Sequence, residues 1–200
     1  DAPVVIKDDT LPGGYWRPSN ANHKFSGPTP LRRGLALSKN LISIRLLRSI
    51  GVEAALQHIA KFGFDPASLP HNLSLALGSA NVTPIQMAAA YAVLANGGYR
   101  VTPYFIARIE IDGGDLVFEA KPLSVCRDCV EPEPQTDGVL ATAAEPPAAN
   151  NGAEDITQFA PRVLDARNRY LMYSMMQDVI SQGTATKARE LGRKITQPVR

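Results

Sequence analysis

Two hundred residues, 44% of them hydrophobic and 20% charged, suffice for one domain or a large piece of one with its own core. A formal net charge of only +2, with no Lys/Arg stripe interleaved with aromatics, gives no electrostatic case for a nucleic-acid partner. No apolar run is long enough to cross a bilayer, and the sequence as it stands shows no signal peptide with a small-residue cleavage site.

The start, "DAPVVIKDD", has no initiator Met and suggests a fragment or a processed chain. Residues 1–30 are rich in Pro, Gly, Asn and Ser, which predicts an extended surface segment with turns. Tyr15 and Trp16 are the large aromatics of that segment. Capping the core is the preferred role for the pair, with Trp16 kept as a candidate substrate-binding residue at a cleft.

From Leu31 the pattern turns helical. Leu35, Leu41, Ile44, Leu47 and Ile50 recur at three- and four-residue spacing, and Gly51 is a good C-terminal stop. A second helix is predicted over "VEAALQHIAKFG", with Ala55, Ile59 and Phe62 on one face. In "NVTPIQMAAAYAVLANGG", Thr83 is the expected N-cap, Pro84 the first helical residue and Gln86 the partner in a capping box. Gly97-Gly98 ends this helix, and its run of alanines predicts close packing and a central position.

"PYFIARIEIDGGDLVFEA" reads as a β-hairpin around Asp112-Gly113-Gly114. Residues 122–158 then turn Pro-, Ala- and acid-rich with little to bury, and are read as a low-complexity insertion or mobile loop. Beyond it, Leu171, Met175 and Val179 predict a long helix ending near Ser181-Gln182-Gly183, followed by a short helix in "TATKARELG". The methionines Met172, Met175 and Met176 are read as core, not as a cofactor contact.

Metal chemistry finds no support. Cys126 and Cys129 form one C-x-x-C without a second pair, and His23, His58 and His71 have no ligand spacing. A lone disulfide or two idle thiols is favoured over a metal site, and no cofactor is expected. No phosphate loop, dinucleotide fingerprint, H-E-x-x-H or G-x-S-x-G is present either.

What remains is Ser38-x-Asn40. By itself the pattern is nearly worthless, since Ser and Asn are among the commonest helix caps, and spacing alone favours a cap. In penicillin-recognising acyl-transfer enzymes an S-x-N works with S-x-x-K and K-T-G. A serine hydroxyl needs a nearby base to become a nucleophile, and a hydroxyl and amide at i and i+2 can serve relay and substrate together. Neither companion is found: no serine is followed three positions later by lysine, and Lys194-Ile195-Thr196 is the nearest approach to K-T-G.

Three separated stretches extend the pattern: "GPTPLRRGLALSKNLISIRLLRSIG", "LALGSANVTPIQMAAAYAVLANGG" and "APRVLDARNRYLMYSMMQDVISQGTATKARELGR". With "VCRDCV" after "FEAKP", they resemble class A penicillin-binding proteins of Gram-negative bacteria, over most of the chain outside the loop after Lys121. The resemblance implies a mixed α/β (α+β) fold of the penicillin-recognising transpeptidase and β-lactamase type, with helices packed against an antiparallel sheet. Residues 1–200 would form an incomplete transpeptidase domain, with 122–158 inserted in it. Ser38 would take part in proton relay and Asn40 would hydrogen-bond the substrate amide. Lys39 occupies the variable middle position and receives no catalytic role.

The implied parent protein sits in the cytoplasmic membrane with its enzymatic domains in the periplasm. It carries a glycosyltransferase domain elsewhere and cross-links D-alanyl-D-alanine stem peptides. It is acylated by β-lactams and works among other cell-wall synthesis proteins. In that family a segment like "ARELGRK" runs into K-T-G-T, whereas "ITQPVR" stands here. The expectation is therefore a chain inactive by itself and marginally folded. Thr184 falls near the approach to K-T-G and is read as a helix cap. A non-catalytic scaffold module is the alternative from another class, and a β-lactamase ranks third.

Overall fold

Asp165 ends one extended stretch with its carboxylate turned onto the Arg167 and Asn168 amides, and a sixteen-residue helix starts there. Such local signals set most of the elements in this computed structural model, which describes residues 1–126 and 158–191. In chain order they are strands β1 (Ile6–Lys7) and β2 (Tyr15–Trp16), then helices α1 (Leu31–Ala36), α2 (Asn40–Ile50), α3 (Val52–Ala60) and α4 (Pro84–Ala95). Strands β3 (Arg108–Glu110) and β4 (Leu116–Glu119) and helix α5 (Ala166–Ser181) complete the set. Short 3-10 turns lie at Pro66–Ser68, Leu73–Leu77 and Thr186–Leu191. The fold is mixed α/β, and among the described residues its sheets are two antiparallel two-stranded ladders, β1–β2 and β3–β4.

The chain divides into two compact units, Asp1–Pro103 with Pro161–Arg200, and Tyr104–Ala160. In the first, the opening segment is extended and turn-rich, as its composition predicts. It also pairs Ile6 with Trp16 and Lys7 with Tyr15, and sends Val4 into the core. Val4, Leu41 and Ile44 form that core, with Ile6, Trp16, Leu73 and Ala76 packed against it. Trp16 is half-buried on this cluster, while Tyr15 is exposed beneath the Arg17 guanidinium. Among the described residues, the largest fully buried side chains are Leu41, Ile44, Leu56 and Val93.

One predicted helix becomes two. The pattern from Leu31 to Gly51 is continuous in hydrophobicity, but the backbone breaks after Ala36 and restarts at Asn40. Gly34 shows how tightly the two pieces fold together: a methyl there would sit 2.9 Å from Ile42 side-chain atoms. Gly51 ends α2 at φ 89°, a conformation costly for other residues, and α3 follows at once.

Helix α4 starts as the sequence predicts. The Gln86 amide donates to Thr83 Oγ1 at 3.3 Å, and the Thr83 amide donates to Gln86 Oε1 at 2.9 Å, with Pro84 at the first turn. Its Gly97-Gly98 end also receives the returning chain. Val163 and Leu164 donate to the Gly98 carbonyl at 2.8 and 3.1 Å, and any side chain on Gly98 would strike the Leu164 carbonyl oxygen. The expected central position of α4 is not what the structure has. Among the described residues it buries only Ala90 and Val93, and Ile85, Met87 and Tyr91 remain exposed.

Helix α5 ends at Ser181 with Gln182 as its C-cap, where the periodicity places it, and Met172, Met175 and Met176 are half-buried. The predicted short helix after it is the 3-10 turn Thr186–Leu191. In the second unit, the predicted hairpin forms with Gly113 and Gly114 at positive φ and a register irregularity at Ile109/Glu110. Of the 122–158 insertion, residues 127–157 lie outside the described set. Its described flanks join by a parallel bridge between Ser124 and Phe159. Cys126 is disulfide-bonded, whereas Cys129 lies outside the described residues.

Such a small set of fully buried side chains, beside exposed Phe105, Tyr170 and Leu171, gives little to unfold cooperatively. Heating the 200-residue chain while following far-UV circular dichroism is expected to give a broad transition. A sharp one, with calorimetric and van't Hoff enthalpies equal, would contradict this.

Candidate active site

The break between α1 and α2 is the turn that carries Ser38, Lys39 and Asn40. Ser38 adopts φ +51°, in the left-handed region that serine rarely visits. Its amide donates to the Leu35 carbonyl at 3.0 Å, and the Lys39 amide donates to Gly34 at 2.9 Å. These two bonds close a Schellman turn in which Ser38 holds the place usually taken by glycine. So Ser38 does cap a helix, but with its backbone and at the end of α1. Its side chain is exposed and makes no hydrogen bond among the described residues. A left-handed serine costs roughly 1–2 kcal/mol.

The start of α2 is capped from elsewhere. Lys39 is the N-cap position and supplies no side-chain bond. Instead Asn20, only 2% exposed, brings Oδ1 to 3.4 Å from the Leu41 amide. Its Nδ2 donates to Asp1 Oδ1 and to the Lys24 carbonyl, both at 2.8 Å. Asn40 donates through Nδ2 to the Ser19 carbonyl at 2.9 Å. That bond uses one of two amide protons and leaves Oδ1 and the second proton for a ligand.

Lys39 points inward. Its ammonium lies 3.3 Å from Asp1 Oδ2 and donates to Ser26 Oγ at 3.0 Å, with side-chain exposures of 10% for Lys39 and 0% for Asp1. The second Asp1 carboxylate oxygen is held by Asn20, and the Ser26 amide donates to Oδ2 at 3.1 Å. The lysine in the middle of the triplet is thus structural. A cavity of about 480 Å³ opens on this inner side between Thr29, Arg33, Leu37 and Lys39. Neither Ser38 nor Asn40 lines it.

A third strand of chain meets the turn from the far end of the sequence. The Thr184 amide donates to the Ala36 carbonyl at 3.1 Å. Arg32 fixes α5 alongside, donating to Asp178 Oδ2 at 2.8 Å and to Ser174 Oγ at 3.0 Å. Of the sequence candidates, the structure brings Ser38 and Asn40 together on one turn, with Thr184 bonded two residues before it. Trp16 stays on the β1–β2 ladder and rests on the core cluster. Asp1, Asn20 and Ser26 were not foreseen, and isolated polar residues in a Pro- and Asn-rich segment carry no periodic signal that would single them out. Among the described residues, no three His, Cys, Asp or Glu gather as a metal site would require.

Ser38 is thus an exposed serine in a left-handed turn, with Asn40 two residues on and the end of α1 bonded to a distant chain segment. Residues 5–195 match the model of the penicillin-binding protein transpeptidase domain, and the chain belongs to that family. It is 42% identical over 207 residues to penicillin-binding protein 1A of Pseudomonas aeruginosa, covering 96% of this chain and 25% of that protein. Penicillin-binding protein 1A of Neisseria lactamica is 40% identical over 193 residues, covering 96% of this chain and 20% of that protein. The chain therefore spans a quarter or less of the length of these relatives.

The crystal structure of penicillin-binding protein 1A from Haemophilus influenzae superposes with a TM-score of 0.76 at 31% identity, over 94% of this chain and 28% of that one. The D,D-transpeptidase domain of a peptidoglycan glycosyltransferase from Eggerthella lenta shares the fold, with a TM-score of 0.56 at 18% identity over 86% of this chain and 41% of that one.

Two substitutions separate the roles inside the triplet, both read by amide exchange at Ser38 and Lys39. Ser38→Gly relieves the left-handed turn and is expected to slow exchange about fivefold, equivalent to about 1 kcal/mol. Lys39→Met leaves the Asp1 carboxylate buried without its cation and is expected to cost roughly 3–5 kcal/mol of local stability. Faster exchange in the first variant, or none of this loss in the second, would contradict the assigned roles.

Proposed function

We propose that this chain is the S-x-N-bearing part of a D,D-transpeptidase that cross-links peptidoglycan. The observation that carries the reading is the Ser38 turn, which holds an exposed serine in the left-handed region two residues before Asn40 at a cost in backbone strain. In the whole protein, a nucleophilic serine would attack the carbonyl of the penultimate D-alanine. Terminal D-alanine would leave, and the acyl group would pass from the ester to an amine on a neighbouring stem peptide. Ser38 would relay the proton between the nucleophile's base and the leaving amine, and Asn40 would hold the amide of the stem peptide. β-Lactams would enter the same site and stop at the ester. Trp16 would border the substrate only where its half-buried ring reaches the surface.

Relatives named penicillin-binding protein 1A support the further reading of a class A enzyme with a glycosyltransferase domain elsewhere. We place the whole protein in the cytoplasmic membrane with this domain on the periplasmic side, among other proteins of wall synthesis. No helix of the described residues is long and apolar enough to cross a membrane.

Acylation needs an S-x-x-K serine and the K-T-G strand, and neither is in these 200 residues. The isolated chain, incubated with a fluorescent penicillin, is expected to show no covalent band. A band that unlabelled β-lactam competes away would overturn that. In the longer protein enclosing this segment, Ser38→Ala is expected to slow acylation by about 10²–10⁴, the span of a lost proton-transfer group. An unchanged rate would remove the S-x-N assignment.

A further inference from the structure

The end of α1 must find donors for its last carbonyls, and the turn at Ser38 supplies them for Gly34 and Leu35. The Ala36 carbonyl is left for a partner from outside the turn, and that partner is the Thr184 amide at 3.1 Å. For Thr184 to reach it, the chain at Gly183 must pass against α1 with no room for a side chain. A methyl on Gly183 would run into the Ala36 carbonyl oxygen and would sit 2.8 Å from both the Cα and the carbonyl oxygen of Val179. Gly183 has no positive φ, so its backbone conformation does not call for glycine. The contact does.

We infer that Gly183-Thr184 is a positioning element for Ser38, setting where its hydroxyl stands by holding the carbonyl two residues before it. The inference rests on the S-x-N reading of Ser38. Three features make the coupling tight. The Ser38 turn is strained, so it is held by its surroundings and not by its own preference. The Ala36 carbonyl belongs to the same helical turn as Leu35, to which Ser38 itself is bonded. Arg32 also ties α1 to Asp178 and Ser174 of α5, which opposes a drift of the end of α5 to make room. A side chain at position 183 must therefore move the end of α1, and Ser38 moves with it. Displacements near 1 Å at a reacting group cost up to about 10²-fold in rate.

The test uses the longer protein and measures acylation by a fluorescent penicillin, separating the non-covalent dissociation constant from the acylation rate constant. Gly183→Ala is expected to lower the rate constant about ten- to a hundredfold with the dissociation constant within about twofold. In a Ser38→Ala background the same substitution is expected to change the rate less than about twofold. An equal loss in both backgrounds overturns the positioning role. Thr184→Pro removes the donor while keeping glycine at 183 and is expected to reproduce the loss; parent-like acylation overturns the inference. Should both variants fail to fold, the Thr184 amide is followed by hydrogen exchange in Ser38→Gly. A rate unchanged from the parent overturns the coupling. If Ser38→Ala alone leaves acylation unchanged, the S-x-N reading fails; if Ser38 matters and Gly183→Ala is silent, only the positioning role fails.

Discussion

Every helix must satisfy its last four carbonyls, and at α1 that requirement shapes the turn bearing Ser38, Lys39 and Asn40. Arg33, Gly34 and Leu35 receive amides from Leu37, Lys39 and Ser38, all within the next five residues. These bonds force the residue after the C-cap into the left-handed region, a place where glycine would be free of strain. Serine stands there instead. Replacing glycine by serine at such a site makes no sense as stability, but it does if the hydroxyl is needed at that point in space.

The inner side of the turn explains how the strain is tolerated. Lys39 is buried and sets its ammonium against Asp1 and Ser26, with Asn20 holding the other Asp1 carboxylate oxygen. A buried ion pair of this kind adds little net stability against an apolar alternative, yet breaking it is costly. Its effect is to fix the opening segment, α1 and α2 in one arrangement. Asn20 belongs to both halves of that arrangement, capping α2 with one atom and holding Asp1 with the other.

Much of the local structure was legible in the sequence, and the reasons it was or was not are physical. The capping box at Thr83 and Gln86, the glycine ends at Gly51 and Gly97-Gly98 and the hairpin at Asp112-Gly113-Gly114 all depend on residues within a few positions of one another. The break inside Leu31–Gly51 was hidden because hydrophobic spacing continues through it, and only a left-handed Ser38 interrupts the backbone. Non-local pairings left no trace: Asn20 on Leu41, Asp1 on Lys39, and Thr184 on Ala36 join residues with no shared periodicity. For Ser38 and Asn40 the spacing alone pointed to a cap, and resemblance over three separated stretches pointed to chemistry. The structure accommodates both, since the backbone of Ser38 caps and its side chain does not.

The same logic bears on why the S-x-N pair sits at a helix junction and not within a helix. Within a continuous helix, residues i and i+2 point about 200° apart and cannot serve one ligand. A turn that breaks the helix between them removes that constraint. The junction between α1 and α2 supplies such a turn, with Asn40 already anchored to the Ser19 carbonyl at the first position of α2. Rigidity then comes from three directions: the local amides of the turn, the buried lysine beneath it, and the chain at Gly183-Thr184 beside it. Catalytic groups must be held to within a fraction of an ångström, and a loop alone does not do this. Here the loop between the helices is three residues long, Leu37 to Lys39, and is held by the turn's own amides, by the buried Lys39 and, through Ala36, by Thr184.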